Sequence, residues 1–210
     1  YRDGTYPYAY QNLDWQDVLL KDFTKSNRVN ISASGGTDRV KYFASTSYNH
    51  VGDLMNSEDL GQGYLPSYSY DRFNVRSNFD FSITKTTKLL AKFSGRYGVR
   101  NSPPSNTREG LFAGISSQSG DMPILIYEDG VYGAEDARFK ASNPYERLNF
   151  LGTSTYPRTI INMDYTLDQK LDFITEGLSL SGKLAYDNTF RNEGASIREG
   201  GHITKTIDKE

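Results

Sequence analysis

The feature that most constrains this chain is a strict two-residue alternation between residues 71 and 84. The odd positions are apolar apart from one serine, namely Phe73, Val75, Ser77, Phe79, Phe81 and Ile83, and the even positions Arg72, Asn74, Arg76, Asn78, Asp80 and Ser82 are charged or polar. Because successive side chains of a β-strand point to opposite faces, the segment predicts a strand with one apolar and one charged face. The apolar face suits either the core of a large soluble sheet or the lipid surface of a membrane barrel.

The same alternation predicts six strands, at about 28–34, 38–49, 71–84, 88–100, 158–171 and 178–191. Short turns join these strands in pairs. The longer segments are predicted as extracellular loops, at about 1–27, 50–70, 101–157 and 192–202. Long strands with short periplasmic turns and long extracellular loops are typical of outer-membrane barrels. The pattern therefore predicts an all-β antiparallel meander of long hairpins that forms part of a large transmembrane β-barrel.

The composition excludes several classes of function. A net charge of −2 gives no electrostatic reason to bind nucleic acid. The chain has no cysteine, its two histidines are far apart, and no set of residues forms a catalytic constellation, so we expect no metal, no cofactor and no enzymatic activity. The 16 tyrosines favour interfacial aromatic belts or aromatic binding loops.

Several segments resemble one family of membrane proteins. They are Asn12-Leu-Asp-Trp-Gln-Asp17, Asn30-Ile-Ser-Ala-Ser-Gly-Gly-Thr-Asp38, Tyr42-Phe-Ala-Ser-Thr-Ser-Tyr48, Tyr70-Asp-Arg-Phe-Asn-Val-Arg-Ser-Asn78, Asn143-Pro144 and Glu176-Gly-Leu-Ser-Leu180. Together they resemble the early barrel of the SusC/RagA-type TonB-dependent transporters of the Bacteroidetes outer membrane. The combination of Asp-Trp-Gln-Asp with Ser-Gly-Gly-Thr is the most specific part of the resemblance, which extends over nearly the whole chain.

The resemblance implies a barrel of roughly 22 strands with a plugged lumen. It also implies a nutrient importer that takes up oligosaccharides or peptides with energy delivered through TonB, and that is capped by a SusD-like surface lipoprotein. The expected location is the bacterial outer membrane, with outer-membrane lipid around the barrel. Because the plug, the TonB contact region and most of the barrel strands are not in this sequence, we expect the chain to be a segment of the transporter.

Two groups of residues are candidates for contact with cargo or partners. The first is expected to face the lumen and consists of Arg72, Arg76, Asp80, Lys92 and Arg96, although these charges are also what solvates an inner wall or pairs across strands. The second lies in loops and consists of Trp15, Tyr127, Glu128, Asp129 and Tyr132, where Trp15 can present a ring to a sugar or anchor its loop by packing.

A second interpretation belongs to a different class. A soluble or cell-surface β-sandwich that binds ligands shows the same alternation, because one face of an antiparallel sheet can be solvated. The two interpretations differ in whether the parent protein needs detergent to stay in solution.

Overall fold

The computed structural model describes residues 13–61, 63–103, 108–117, 131–133, 143–150, 152–192, 195–198 and 204–205. In chain order its elements are α1 (Trp15–Leu19), β1 (Ser26–Gly36), β2 (Val40–Val51), β3 (Tyr70–Ser82), β4 (Thr87–Ser102), α2 (Arg108–Ser117), β5 (Tyr132–Gly133), α3 (Pro144–Asn149), β6 (Gly152–Lys170), β7 (Ser179–Arg191), β8 (Ala195–Arg198) and β9 (Thr204–Lys205).

One large antiparallel sheet dominates the structure. Its strands follow the order β1-β2-β3-β4-β6-β7, so each long strand pairs with the next long strand along the chain, and β8 pairs with β6 beyond the end of β7. The predicted all-β antiparallel meander is thereby confirmed. The strand ends differ most at β6, which begins at Gly152 rather than Arg158. Residues 152–155 pair with β8 and residues 154–157 pair with β4, although the segment lacks a clear alternation.

Side chains close the three short turns. The hydroxyl oxygen of Thr37 accepts hydrogen bonds from the backbone N–H groups of Arg39 and Val40 between β1 and β2. Thr84 does the same for Thr86 and Thr87 between β3 and β4. Between β6 and β7, Gly177 has a positive φ of 80° and donates its N–H to Asp172, a backbone conformation that glycine adopts without strain. Local polar residues therefore fix where each hairpin reverses.

The buried core lies in the loops and not on the sheet. It consists of Trp15, Leu19, Met55, Tyr68, Ile115, Tyr145, Leu148 and Phe150, which come from α1, from the connection between β2 and β3, from α2 and from the segment around α3. We call this cluster the loop core. It lies at the end of the sheet where the long connections are, and no helix among the described residues is long and apolar enough to span a bilayer.

Buried polar groups join the two long connections within the loop core. The Asn149 side chain, 1% exposed, accepts a hydrogen bond from the Glu58 N–H at 2.9 Å, and the Tyr145 hydroxyl donates to the Glu58 carboxylate at 2.8 Å. The Tyr64 hydroxyl donates to the backbone carbonyl of Phe150 at 3.2 Å. Because buried polar groups need partners, these bonds hold the two loops in one arrangement.

Replacing Leu148 with alanine tests whether the loop core folds as a unit. Leu148 is fully buried, so Leu148→Ala leaves a cavity that we expect to destabilise the loop core by about 2–5 kcal/mol. Hydrogen exchange should accelerate at the backbone amides of α1 and of residues 53–56 and stay unchanged in β2 and β3. The control is Leu65→Ala, because Leu65 lies in the same connection but is 50% exposed. Equal effects of the two substitutions would contradict the account of the loop core.

Candidate functional site

Most apolar residues of the six long strands lie on one face of the sheet. The register places Val29, Tyr48, Phe73, Tyr97, Thr159 and Phe190 in one row across the strands, and the rows two, four and six residues further toward the short turns are again mostly apolar. This apolar face is uncovered by the described residues: Ile31 is 64% exposed and Leu184 is 68% exposed. A contiguous exposed apolar surface marks a site of contact with another protein, a membrane or a ligand.

Aromatic residues concentrate toward the two ends of the apolar face. Tyr48, Phe73, Tyr97 and Phe190 lie at the long-loop end, and Tyr42, Phe79 and Phe81 lie toward the short turns. The central positions hold aliphatic or sulfur-containing residues such as Val75, Ile161 and Met163, together with the aromatic residues Phe93 and Tyr186. Tyrosines at both margins place hydroxyl groups where water is accessible. Nearer the middle of the face, the Tyr186 hydroxyl accepts a hydrogen bond from the Asn188 side chain at 2.8 Å.

The hairpins are staggered by a constant step. Counted from the row through Val29 and Tyr48, the last pair of the first hairpin, Gly36 with Lys41, is seven residues away. In the second hairpin the last pair is Ser82 with Lys88, nine residues from the same row. In the third hairpin the last pair is Lys170 with Ser179, eleven residues from that row. The short turns therefore descend by about one residue per strand, the kind of shear that closed barrels need.

The opposite face, which we call the polar wall, contains every residue predicted to face a lumen. Arg72, Arg76 and Asp80 alternate along β3, and Lys92 and Arg96 occupy same-face positions on β4. Arg96 donates its Nε–H to Asn74 at 3.3 Å, and Asn74 donates to Ser47 at 3.0 Å. The register therefore places the five residues on one face; whether that face lines a lumen stays a prediction.

Charge is unevenly distributed along the polar wall. Toward the short turns the charges have both signs: Lys183 lies 3.4 Å from Asp164, Lys92 is the register partner of Asp164, and Asp80 is the partner of Lys41. Toward the long loops the described part of the wall has seven arginines and one aspartate, Asp187; the arginines are Arg28, Arg72, Arg76, Arg96, Arg100, Arg158 and Arg191. The long-loop half of the wall is thus strongly basic although the whole chain is nearly neutral.

Sequence reasoning missed the residues that make this half of the wall a site. Arg100, Arg158 and Arg191 surround a cavity with Tyr70 and Tyr156, and none of the five was singled out. The alternation already places Arg100 and Arg191 on the polar faces of their strands. What the sequence lacks is the register between β3, β4, β6 and β7, which brings the five side chains to one place.

The loop candidates have different outcomes. Trp15 is 3% exposed and packs in the loop core, so its ring anchors the loop. Tyr127, Glu128 and Asp129 lie outside the described residues. Tyr132 belongs to the short strand β5, which pairs in parallel with β9. Ligand contact by these loop residues stays a prediction for Trp15, Tyr127, Glu128, Asp129 and Tyr132.

A cluster of polar residues lies on the apolar side of the sheet. It lies beyond the row that contains Tyr48, Phe73, Tyr97 and Phe190, which we call the aromatic row. The Tyr48 hydroxyl and the His50 ring both hydrogen-bond to one carboxylate oxygen of Asp71, the ring nitrogen at 2.7 Å. His50 and Asp71 face each other across β2 and β3 two residues beyond Tyr48, toward the long loops. The apolar face therefore ends at this level with a water-compatible cluster.

Within the described ranges, no group of three or more histidine or acidic side chains is arranged to hold a metal ion. Comparison of the chain with models of known protein families gave no match, and neither did comparison with curated proteins. Function must therefore be inferred from the two faces of the sheet.

Proposed function

We propose that the chain is part of a transmembrane β-barrel, with the apolar face toward lipid and the polar wall toward an aqueous lumen. The observation that supports this most is the exposed apolar face that runs in register across six strands while the opposite face is charged. Lipid-facing and lumen-facing residues alternate in this way along the strands of outer-membrane barrels. A lipid surface would remove the apolar side chains from water, which the described residues do not do.

The stagger supports the same proposal quantitatively. An offset of one residue per strand shifts neighbouring strands by about 3.4 Å along their length, and strands lie about 4.8 Å apart. The ratio of these distances corresponds to a strand tilt of about 35°, which falls within the range of roughly 35–45° for membrane barrels. A sheet with this shear is suited to closure with the short turns at one level.

The position of the aromatic residues distinguishes lipid from a second sheet. A β-sandwich core packs its largest apolar side chains through the middle of the face, against the facing sheet. Here four of the five tyrosines on the face lie toward the margins, where amphipathic rings meet the interfaces of a bilayer, and Tyr186 is the exception. This favours the barrel over the sandwich as the class of protein.

Residues of the family-like segments have structural roles in this region. Asp14 caps α1 by accepting a hydrogen bond from the Gln16 N–H at 2.9 Å, and Asn143 caps α3 by accepting from the Tyr145 N–H at 3.0 Å. Trp15 and Tyr145 then pack in the loop core. These roles are consistent with segments that position loops at one end of a barrel.

We therefore infer a non-catalytic role in an outer-membrane nutrient importer that resembles the SusC/RagA-type transporters. In this proposal the polar wall is part of the conduit, and the loop core is part of the extracellular surface that a SusD-like lipoprotein covers. Energy through TonB and uptake of glycan or peptide belong to the same proposal and rest on the resemblance.

Cell fractionation tests the membrane assignment directly. We expect the intact protein to sediment with the outer membrane, to resist extraction by alkaline carbonate, and to enter solution only with detergent, because the apolar face needs a substitute for lipid. A marker protein of the periplasm is the control for incomplete lysis. Recovery of the folded protein in the soluble fraction without detergent would contradict the barrel and support the sandwich.

Two neighbouring residues in the middle of β7 test the face assignment. Leu184 lies on the apolar face opposite Tyr165, and Ala185 lies on the polar wall opposite Asp164. We expect Leu184→Arg to lower the free energy of unfolding in bilayers by about 2–4 kcal/mol. Ala185→Arg is the matched control and should change it by less than about 0.5 kcal/mol, since the new charge is solvated. The measurement is a folding titration of each variant in bilayers. Equal changes in the free energy of unfolding for the two variants would contradict the assignment of the two faces.

A further inference from the structure

The polar wall contains a cavity at its long-loop end. Its volume is about 320 Å³, near the lower limit for small-molecule sites, so it fits one sugar ring or a short side chain. Tyr70, Arg100 and Tyr156 form one row of its lining across β3, β4 and β6, and Gly98, Arg158 and Arg191 form the next. The cavity begins one residue beyond the aromatic row toward the long loops.

Packing within the cavity orients its aromatic and cationic groups. The Arg100 guanidinium lies 4.8 Å from the centre of the Tyr156 ring, a cation–π contact that holds its position without using its N–H donors. The Tyr70 ring extends over Gly98, where an added Cβ would be 2.9 Å from the Tyr70 hydroxyl. The glycine is therefore what allows the ring to lie flat along this part of the wall.

The arginines of the cavity lack anionic partners. Within the described part of the chain, the side chains of Arg100, Arg158 and Arg191 form no ion pair or hydrogen bond, and no acidic residue lines the cavity. Arg158 and Arg191 are direct cross-strand partners, an arrangement of like charges that destabilises a sheet. Arg72 is the register partner of Gly98, and its Nε is buried with no hydrogen-bond partner.

Charges on the half of the wall toward the short turns are compensated. Lys183 pairs with Asp164, and Asp168 accepts a hydrogen bond from Ser181 at 2.6 Å. Only toward the long loops does repulsion between cations remain unrelieved in the described structure. A ligand that brings negative charge would relieve it and would receive charge-assisted hydrogen bonds, which guanidinium groups form in pairs with carboxylates.

We propose that this cavity binds the carboxylate of an acidic ligand, with the tyrosine rings contacting the ring or chain that bears it. The arginine donors recognise the carboxylate, and the size of the cavity selects a single uronic acid unit or one acidic side chain. That the ligand is the transported cargo rests on the proposed function, since the cavity would then lie at the mouth of the conduit. Binding itself does not depend on transport.

Calorimetry tests this proposal by measuring how tightly acidic probes bind to the purified full-length protein. Detergent is added if the protein needs detergent to stay in solution. The probes are a trisaccharide of galacturonic acid, its methyl ester, which has the same rings without the charge, and triglutamate, which has the charge without the sugar. We expect the acid to bind about tenfold or more tightly than its ester, and more weakly as salt is raised. Equal binding of triglutamate and the acid supports the carboxylate site and identifies acidic peptide as an equally good source.

Variants assign the binding to the cavity. Arg158→Gln combined with Arg191→Gln should weaken binding of the acid about tenfold or more. Arg28→Gln combined with Arg76→Gln removes the same charge from other strands of the wall and should leave binding within about twofold. Gly98→Val, which keeps every arginine but crowds Tyr70, should weaken binding as well. Equal affinities of acid and ester, or equal affinities of the two arginine double variants, would overturn the proposal.

The outcomes separate this inference from the proposed function. A protein that is soluble without detergent but binds the acid through Arg158 and Arg191 refutes the barrel and supports the site. A membrane protein that binds neither the acid nor triglutamate supports the barrel and refutes the site, as is expected if an acidic segment of the same protein fills the cavity.

Discussion

The structure depends on one constraint, the register of the hydrogen-bonded ladders between neighbouring strands. Because side chains alternate with a period of two, a slip of one residue in any ladder would send that strand's apolar residues to the charged face. All five ladders between the long strands keep the same phase, which means that each pairs apolar-face positions with apolar-face positions, from Val29 on β1 to Phe190 on β7. This phase agreement makes one face apolar and the other charged, and it gathers arginines from five strands on one wall.

The register also separates two kinds of stabilisation. The loop core is held by burial, with Leu19 and Leu148 removed from solvent, and by hydrogen bonds such as that between Asn149 and Glu58. The sheet is held by its ladders and leaves its apolar face exposed, so in the proposed barrel much of its stability comes from the surrounding bilayer. We therefore expect the loops and the sheet to respond to different perturbations, the first to core substitutions and the second to loss of lipid.

Features that depend on the pattern of a single strand could be predicted from the sequence. Features that depend on the pairing of two strands could not. Alternation was enough to locate six strands and to place Arg72, Arg76, Asp80, Lys92 and Arg96 on one face. It could not show that β6 begins at Gly152, because residues 152–157 are ordered by pairing with neighbouring strands and not by their own pattern. The arginine cavity was missed for the same reason, since Tyr70, Arg100, Tyr156 and Arg191 come from four strands. For Trp15 the sequence left open whether the ring contacts a sugar or anchors its loop, because its burial depends on Leu148 and Ile115, which are distant in sequence.

In the proposed barrel the apolar face contacts lipid hydrocarbon, and a nitroxide scan of β3 in reconstituted bilayers measures this contact directly. Spin labels placed one at a time at positions 73–81 are compared for collisions with oxygen, which concentrates in the bilayer, and with a water-soluble nickel complex. We predict a period of two: labels at Phe73, Val75, Ser77, Phe79 and Phe81 should collide more with oxygen, and labels at Asn74, Arg76, Asn78 and Asp80 more with nickel. Odd positions that are shielded from both reagents would show that protein covers the face, and they would contradict the account.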